Sequence, residues 1–510
     1  MPSTPLTAAA SSGDLAAASI LVAEGADVNE PDAGRGASPL FLSSEGGHLW
    51  LVELLLARGA EVDQGDHQAS TPLFVGSSNG HRAVAELLLA AGADVHRAGK
   101  YGRAPLLKSC MGGHREVAEL LLANGAKVDQ ADEYGTTPLI VSSQEGRAAA
   151  VELLLASGAG VDRARNDGAT ALTVGGRNGH HEVVKLLLAG GAAVDEADNR
   201  GRTPLFSGSQ NGHREVVELL LAGGASVDRP DKYGGATPLI VSSKRGNLEI
   251  AGLLLAGGAR ADLADSNGDT PLIASSQDGH REVVELLLAG GADADRANKR
   301  GVAPLYASSE RGHREVVELL LAKGASVDRA NKYSDTALLV SSGKGHLEVA
   351  RLLLASGADV NQVDATGATP LIRASFESRV EVVKLLLENG AKVDQAMNDG
   401  STPLIMSSRE GHQEVVKLLL DNGADAHQAM NDGTTPLSTS GYHGFQEVVK
   451  LLLTRIVSDR RLAVLSSVRQ VRRAPPAPTT QKLLSLLASA PDDLVRAILE
   501  FAGAAEFGTV

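Results

Sequence analysis

Residues 203–235 read TPLFSGSQNGHREVVELLLAGGASVDRPDKYGG, and each segment of this stretch has a local chemistry that assigns it. Thr203 is suited to cap a helix and Pro204 to occupy its first position, where a missing N–H is harmless, so a short helix starts there. Asn211-Gly212 ends it in a tight turn. A second helix is predicted over 213–222, with Val216, Val217, Leu219, Leu220 and Leu221 covering more than one face and Glu215 and Glu218 left to solvent. Gly223-Gly224 stops that helix, and the remainder, ASVDRPDKYGG, is rich in turn formers and leads back out to another Thr-Pro-Leu.

The same unit recurs through most of the chain. Its marker, a proline or alanine followed by leucine, stands at Pro5, Pro39, Pro72, Pro105, Pro138, Ala171, Pro204, Pro238, Pro271, Pro304, Ala337, Pro370, Pro403 and Pro436. Fourteen markers make fourteen repeats, numbered below in chain order, at a spacing of 33 residues with two intervals of 34, ahead of Pro39 and Pro238. The second insertion is visible as Gly234-Gly235, in a turn, where an extra residue costs least. A helix pair apolar on so many sides cannot bury itself, so each unit must stack on its neighbours into one continuous core. At about 8–10 Å per step, such an array is on the order of 130 Å long.

The consensus TPL, then two small residues, then GH-x-EVV-x-LLL-x-x-GA-x-VD, resembles the ankyrin repeat over residues 4 to about 453. The resemblance implies an all-α solenoid of L-shaped helix pairs with projecting hairpins, whose tips and first helices form a concave binding face. Two departures stand out. Where that family has histidine after Thr-Pro-Leu, this chain has Phe41, Phe74, Ile140, Phe206, Ile240, Ile273, Tyr306, Ile372 and Ile405, which trades a polar contact for apolar volume. Where the family favours paired alanines, it has serine pairs such as Ser142-Ser143, Ser242-Ser243, Ser275-Ser276, Ser308-Ser309, Ser341-Ser342 and Ser407-Ser408. Serine is small enough for close helix packing and can bond the carbonyl one turn back, so these pairs read as packing positions and not as modification sites.

A longer period lies on the first. TPLIVSS at 137–143 returns at 237–243 and as TALLVSS at 336–342, each preceded by a tyrosine, Tyr134, Tyr233 and Tyr333. Three repeats separate each pair, a pattern of growth by block duplication that would set these tyrosines roughly 30 Å apart.

Near Leu453 the expected Gly-Ala turn gives way to Thr454-Arg455 and the composition changes. Leu462, Leu465, Val468 and Val471 recur at helical spacing within a basic stretch, which predicts a capping helix over 455–474. Prolines at 475, 476 and 478 form a stiff break at 475–480, and 481–510 is expected to hold short amphipathic helices divided by Pro491. Within them PDDLVRAILEFAG, residues 491–503, is similar to the opening of an F-box-like helix.

Composition excludes several function classes. A net charge of −14, with no lysine- or arginine-rich run before residue 450, would repel a phosphate backbone, so nucleic acid is not an expected partner. A single cysteine, Cys110, allows no internal disulfide, and the absence of an Asn-x-Ser/Thr sequon argues against secretory passage. The start, MPSTPLTAAASSGDLAAAS, lacks the basic and apolar segments of a signal peptide, and no apolar run approaches the 18 or so residues that span a bilayer. The expectation is a monomer in the cytoplasm, with the nucleus also compatible, that has no membrane partner.

No catalytic constellation emerges. Histidines recur after glycine as His48, His81, His114, His180, His213, His280, His313, His346 and His412, but copies one repeat apart, roughly 10 Å, cannot share a metal ion. His180-His181-Glu182 lacks the second histidine of a zinc-protease helix, and GGRNGH at 175–180 and GKGH at 343–346 lack the ending of a phosphate loop. Cys110 lies in a first helix with no recurrent acid–base partner. No enzyme, cofactor or metal is expected.

What varies within this repeating frame is the candidate binding surface. At the hairpin tips stand Lys100-Tyr101, Glu133-Tyr134, Asn199-Arg200, Lys232-Tyr233, Lys299-Arg300 and Lys332-Tyr333. Near the ends of first helices stand Lys244-Arg245, Glu310-Arg311 and Tyr442-His443, and Tyr306 joins the set within a first helix. Tyrosine and arginine are the residues that most often carry interface energy, and four of the six tyrosines lie at tips. The expected function is therefore a non-enzymatic scaffold for protein partners, extended or repetitive in form. The F-box-like similarity implies the alternative, a substrate-recruiting adaptor of a ubiquitin ligase whose tail docks the ligase.

Overall fold

The structure is a computed structural model that describes residues 4–472; the end of the predicted capping helix at 473–474, the proline-rich break and the segment 481–510 with its F-box-like similarity lie outside the described residues. Among the described residues there are 28 α-helices and no strand, so the helix pair of each of the fourteen repeats is present. They fall into two compact units. The first, ending at Asp293, holds nine pairs; the second, beginning at Ala294, holds five.

Each element has a local cause. In repeat 7 the first helix is Pro204–Asn211: the Thr203 hydroxyl accepts the Phe206 N–H at 3.1 Å, proline fills the first position, and Gly212, at φ 83°, ends it. The second helix is Arg214–Ala222, which buries Val216, Val217 and Leu220. Phe41, Ile140, Phe206, Ile240, Ile273, Ile372 and Ile405 are all buried at the position after the conserved leucine. Apolar volume there has thus been absorbed by the core, at about 1.5–3 kcal/mol for each such side chain fully withdrawn from water. The threonine cap to the same residue's N–H survives at Ile140, Ile240, Ile273, Ile372 and Ile405.

Within each unit, three sets of polar contacts recur between neighbouring repeats. The histidine after the inter-helix glycine donates its Nε2–H to a last-turn carbonyl of the preceding first helix: His81 to Glu45, His180 to Gln144, His213 to Arg177, His346 to Glu310, at 3.0–3.1 Å. Glu45, Gln144 and Arg177 O each accept a second bond, from the side-chain amide of Asn79, Asn178 and Asn211, so these helix-end carbonyls are doubly satisfied from the next repeat. The glycine ahead of the histidine is required twice over, because Gly179 has φ +81° and a Cβ there would lie 2.5 Å from the His213 ring. The Asp of the VD step accepts a backbone N–H one repeat on, as Asp129 does from Gly160 and Asp162 from Ala193. Third, the tips form a backbone ladder: Glu133 N–H donates to Tyr101 O, Asn166 to Tyr134 O, Asn199 to Asp167 O and Lys232 to Arg200 O.

Regular tips close with a bond from residue i to residue i+4, as Asp132 N–H to Thr136 O, whereas the two tips carrying the inserted residue close to i+5, Asp32 to Ala37 and Asp231 to Ala236. The insertions are absorbed in the turn and leave the helices in register.

At the end of the array the second helix of repeat 14 runs unbroken from Gln446 to Arg472, across the change of composition at 454/455. Arg455 bonds Asp459 and donates from Nη1 to Leu420 O at 3.1 Å, placing a cation on the carbonyl end of the preceding second helix.

Candidate protein-binding surface

The tips hold their side chains outward because the turn beneath them is fully bonded. Asp132 Oδ1 accepts the N–H groups of Tyr134 and Thr136 at 2.9 and 2.8 Å, and Asp198 does the same for Arg200 and Arg202. The ladder then fixes the register between tips, so Tyr101, Tyr134, Asp167 and Arg200 occupy equivalent places on successive repeats. Tyr134, Tyr233 and Tyr333 are 54%, 80% and 64% exposed.

The tip leading into repeat 4 differs from the others. Gly99 stands where its neighbours have Asp or Arg, the turn is a 3-10 helix over Lys100–Gly102, and Tyr101 is held at φ 63°. A bulky residue in the left-handed region is strained. Its ring is engaged: it lies 6.1 Å from the Tyr134 ring, with Lys100 Nζ at 4.9 Å and the Arg103 guanidinium at 5.5 Å. Tyr134 is therefore half of an aromatic pair, while Tyr233 has no ring neighbour of this kind among the described residues. Beside the pair, Arg103, Leu107, Met111, Tyr134, Val141 and Arg165 line a cavity of about 250 Å³.

Of the residues singled out from the sequence, Lys100, Tyr101, Glu133, Tyr134, Arg200, Lys232 and Tyr233 are exposed at tips of the first unit, and Lys244 and Arg245 are exposed where the first helix of repeat 8 ends. In the second unit Lys299, Arg300, Lys332 and Tyr333 are exposed at tips, with Arg311 and Tyr442 exposed near first-helix ends. Tyr306 is the exception and corrects the reading of it as a surface contact. It is only 9% exposed, because it takes the core position that Phe206 and Ile240 hold elsewhere, and burial pushes its hydroxyl up to about 12. Its edge lines a cavity of about 330 Å³ with Glu310, Asp335, Gly343, Arg373 and Phe376.

Arg103, Lys108, Arg165, Arg177 and Arg202 were not singled out from the sequence, yet the register sets them on the same tips and first helices. Reading each repeat column by column, instead of seeking variation beside the turn glycine, would have found them.

Cys110 is buried, and burial raises its thiol to about 12, far from a thiolate nucleophile. Among the described residues no group of three or more His, Cys, Asp or Glu could hold a metal ion, and no helix is long and apolar enough to cross a membrane. His81, His180, His213 and His346 are spent on the inter-repeat bonds described above.

The model of the ankyrin-repeat family, described as ankyrin repeats in three copies, matches in overlapping stretches that together run from residue 6 to residue 460. The chain belongs to the ankyrin-repeat family. Among solved structures, the ankyrin repeat domain of human ASB11 is similar at 28% identity over 43% of this chain and 98% of its own, with a TM-score of 0.41. No curated protein matches the chain. An ankyrin-repeat array indicates a protein–protein interaction module.

Proposed function

We propose that this chain is a scaffold that holds protein partners on the face made by its hairpin tips and first helices. The observation that carries the reading is the exposure of Tyr101, Tyr134, Tyr233 and Tyr333 at tips whose turns and ladder bonds use backbone groups and none of these side chains. Large rings in solvent that no fold contact requires are suited to burial against a partner. The ubiquitin-ligase alternative rests on residues 491–503, outside the described residues, and no contact described above favours it.

Affinity purification with the full chain supplies the partner, and titration calorimetry with that partner supplies the test. Tyr134→Ala, Tyr233→Ala and Tyr333→Ala are each expected to weaken binding by about 1–2 kcal/mol with the melting temperature almost unchanged, and the triple variant to lose nearly all of it. Unchanged affinity in the triple variant refutes the reading.

A further inference from the structure

The first unit carries its charge unevenly. Over repeats 4–8, the tips and first helices (99–112, 132–145, 165–178, 198–211 and 231–245) contain ten lysines and arginines against six carboxylates, in a chain whose net charge is −14. The second helices of the same repeats carry the reverse, seven glutamates against three cations. Summed over these repeats the two faces have opposite sign, although repeat 5 supplies three carboxylates, Asp132, Glu133 and Glu145, and no cation to the first.

The carboxylates on the cationic face are largely committed. Asp132, Asp198 and Asp231 turn inward to accept backbone N–H groups of their own tips, and Asp132 and Asp198 are buried. Asp167 is paired with Arg165. The cations are not committed to the same degree. Lys100, Arg200, Lys232, Lys244 and Arg245 are exposed and have no carboxylate within ion-pair distance among the described residues. They are joined by Lys108, held partly buried on the first helix of repeat 4, where burial and the Arg103 charge lower its pKa. A field of like charges held together this way is stabilised by an anionic partner. The band has an end: in repeat 9 Asp265, Asp269 and Asp278 line the same groove as Lys244 and Arg245.

We infer that this face, from Lys100 to Arg245, binds an extended acidic segment of a partner protein, with the Tyr101–Tyr134 pair receiving an apolar side chain beside the carboxylates. The inference rests on the scaffold reading above and adds the chemistry of the occupant. Neighbouring repeats lie about 10 Å apart, so the four steps from the Lys100 tip to the Lys232 tip span about 40 Å, which an extended strand covers with about 12 residues. Glu133, Glu145 and Asp167 are exposed within the band, and the acidic second helices lie behind it, which disfavours a continuous phosphate backbone more than a peptide of spaced carboxylates.

The test is selection of random linear dodecapeptides displayed on phage against the full chain, followed by fluorescence anisotropy of the recovered peptides. Acidic peptides should be enriched, and Lys244→Glu/Arg245→Glu and, separately, Arg200→Glu/Lys232→Glu should each weaken their binding by about tenfold or more. Arg115→Glu, on the second-helix side, should leave it unchanged, and far-UV circular dichroism confirms that each variant is folded. Enrichment of neutral or basic peptides overturns the acidic occupant while leaving the scaffold reading intact; recovery of no peptide above background overturns both. Tighter binding of a 12-nucleotide single strand than of the best acidic peptide, abolished by the same variants, overturns the inference in favour of nucleic acid.

Discussion

The serine pairs of the first helices separate into two columns that behave differently, and substitution can tell them apart. In repeats 8 and 9 the leading hydroxyls, Ser242 and Ser275, donate to the carbonyls of Leu239 and Leu272 at 3.1 and 3.2 Å. The trailing hydroxyls, Ser243 and Ser276, are fully buried and have no hydrogen-bond partner. A buried hydroxyl without a partner costs about 1–3 kcal/mol in lost hydration, and alanine also improves helix propensity by roughly 0.5 kcal/mol. Ser243→Ala and Ser276→Ala are each expected to stabilise by about 1 kcal/mol. One repeat step of about 10 Å is enough for the two effects to add, to about 2 kcal/mol in the double variant. Ser242→Ala/Ser275→Ala removes bonded hydroxyls of similar size and is expected to be neutral or to destabilise by up to about 1 kcal/mol per site. Urea unfolding followed by circular dichroism, with the midpoint compared at constant slope, measures the difference. If Ser243→Ala/Ser276→Ala destabilises more than the leading pair does, the trailing hydroxyls have partners and the reasoning fails.

Two further substitutions probe the clips and caps. His213→Ala removes the Nε2–H bond to Arg177 O and should cost about 1 kcal/mol, read by hydrogen exchange as faster opening of the amides in repeats 6 and 7 alone. Ala303 begins the first helix of repeat 10 with no side-chain cap, where Thr203 and Thr237 cap theirs, so Ala303→Thr should raise stability by about 1 kcal/mol in thermal unfolding, and a loss would show that the site cannot hold the hydroxyl.

The repeat frame was legible in the sequence because each of its signals is local. The Thr-Pro start, the Asn-Gly stop of repeat 7 and the Gly234-Gly235 insertion are set by φ angles and by which N–H groups need a partner, and all three are found where the residues place them. The serine reading departs in its second half, since the trailing hydroxyls, Ser44 apart, do not bond one turn back as most of the leading ones do. The candidate surface was less legible. Tyr306 is a polar aromatic near exposed charges in sequence, and only its register as a core position reveals that it points inward. The contact between Tyr101 and Tyr134 depends on the strained turn at Gly99–Gly102, for which the sequence offers no signal beyond a missing aspartate.

The division of labour inside each tip explains why its side chains are free to differ. The inward Asp132 or Asp198 carboxylate and the backbone ladder satisfy the turn, and the histidine clip ties the helices behind it, so none of these bonds consults the residue displayed at the apex. Tyr134, Asp167, Arg200 and Tyr233 can then succeed one another along the first unit at little cost to folding. The same independence lets cations outnumber carboxylates on the tips and first helices of repeats 4–8 while glutamates outnumber cations on the second helices, because among the described residues no ion pair joins the two surfaces. A chain that is acidic as a whole can thereby present a basic face, and its net charge is a poor guide to what that face will bind.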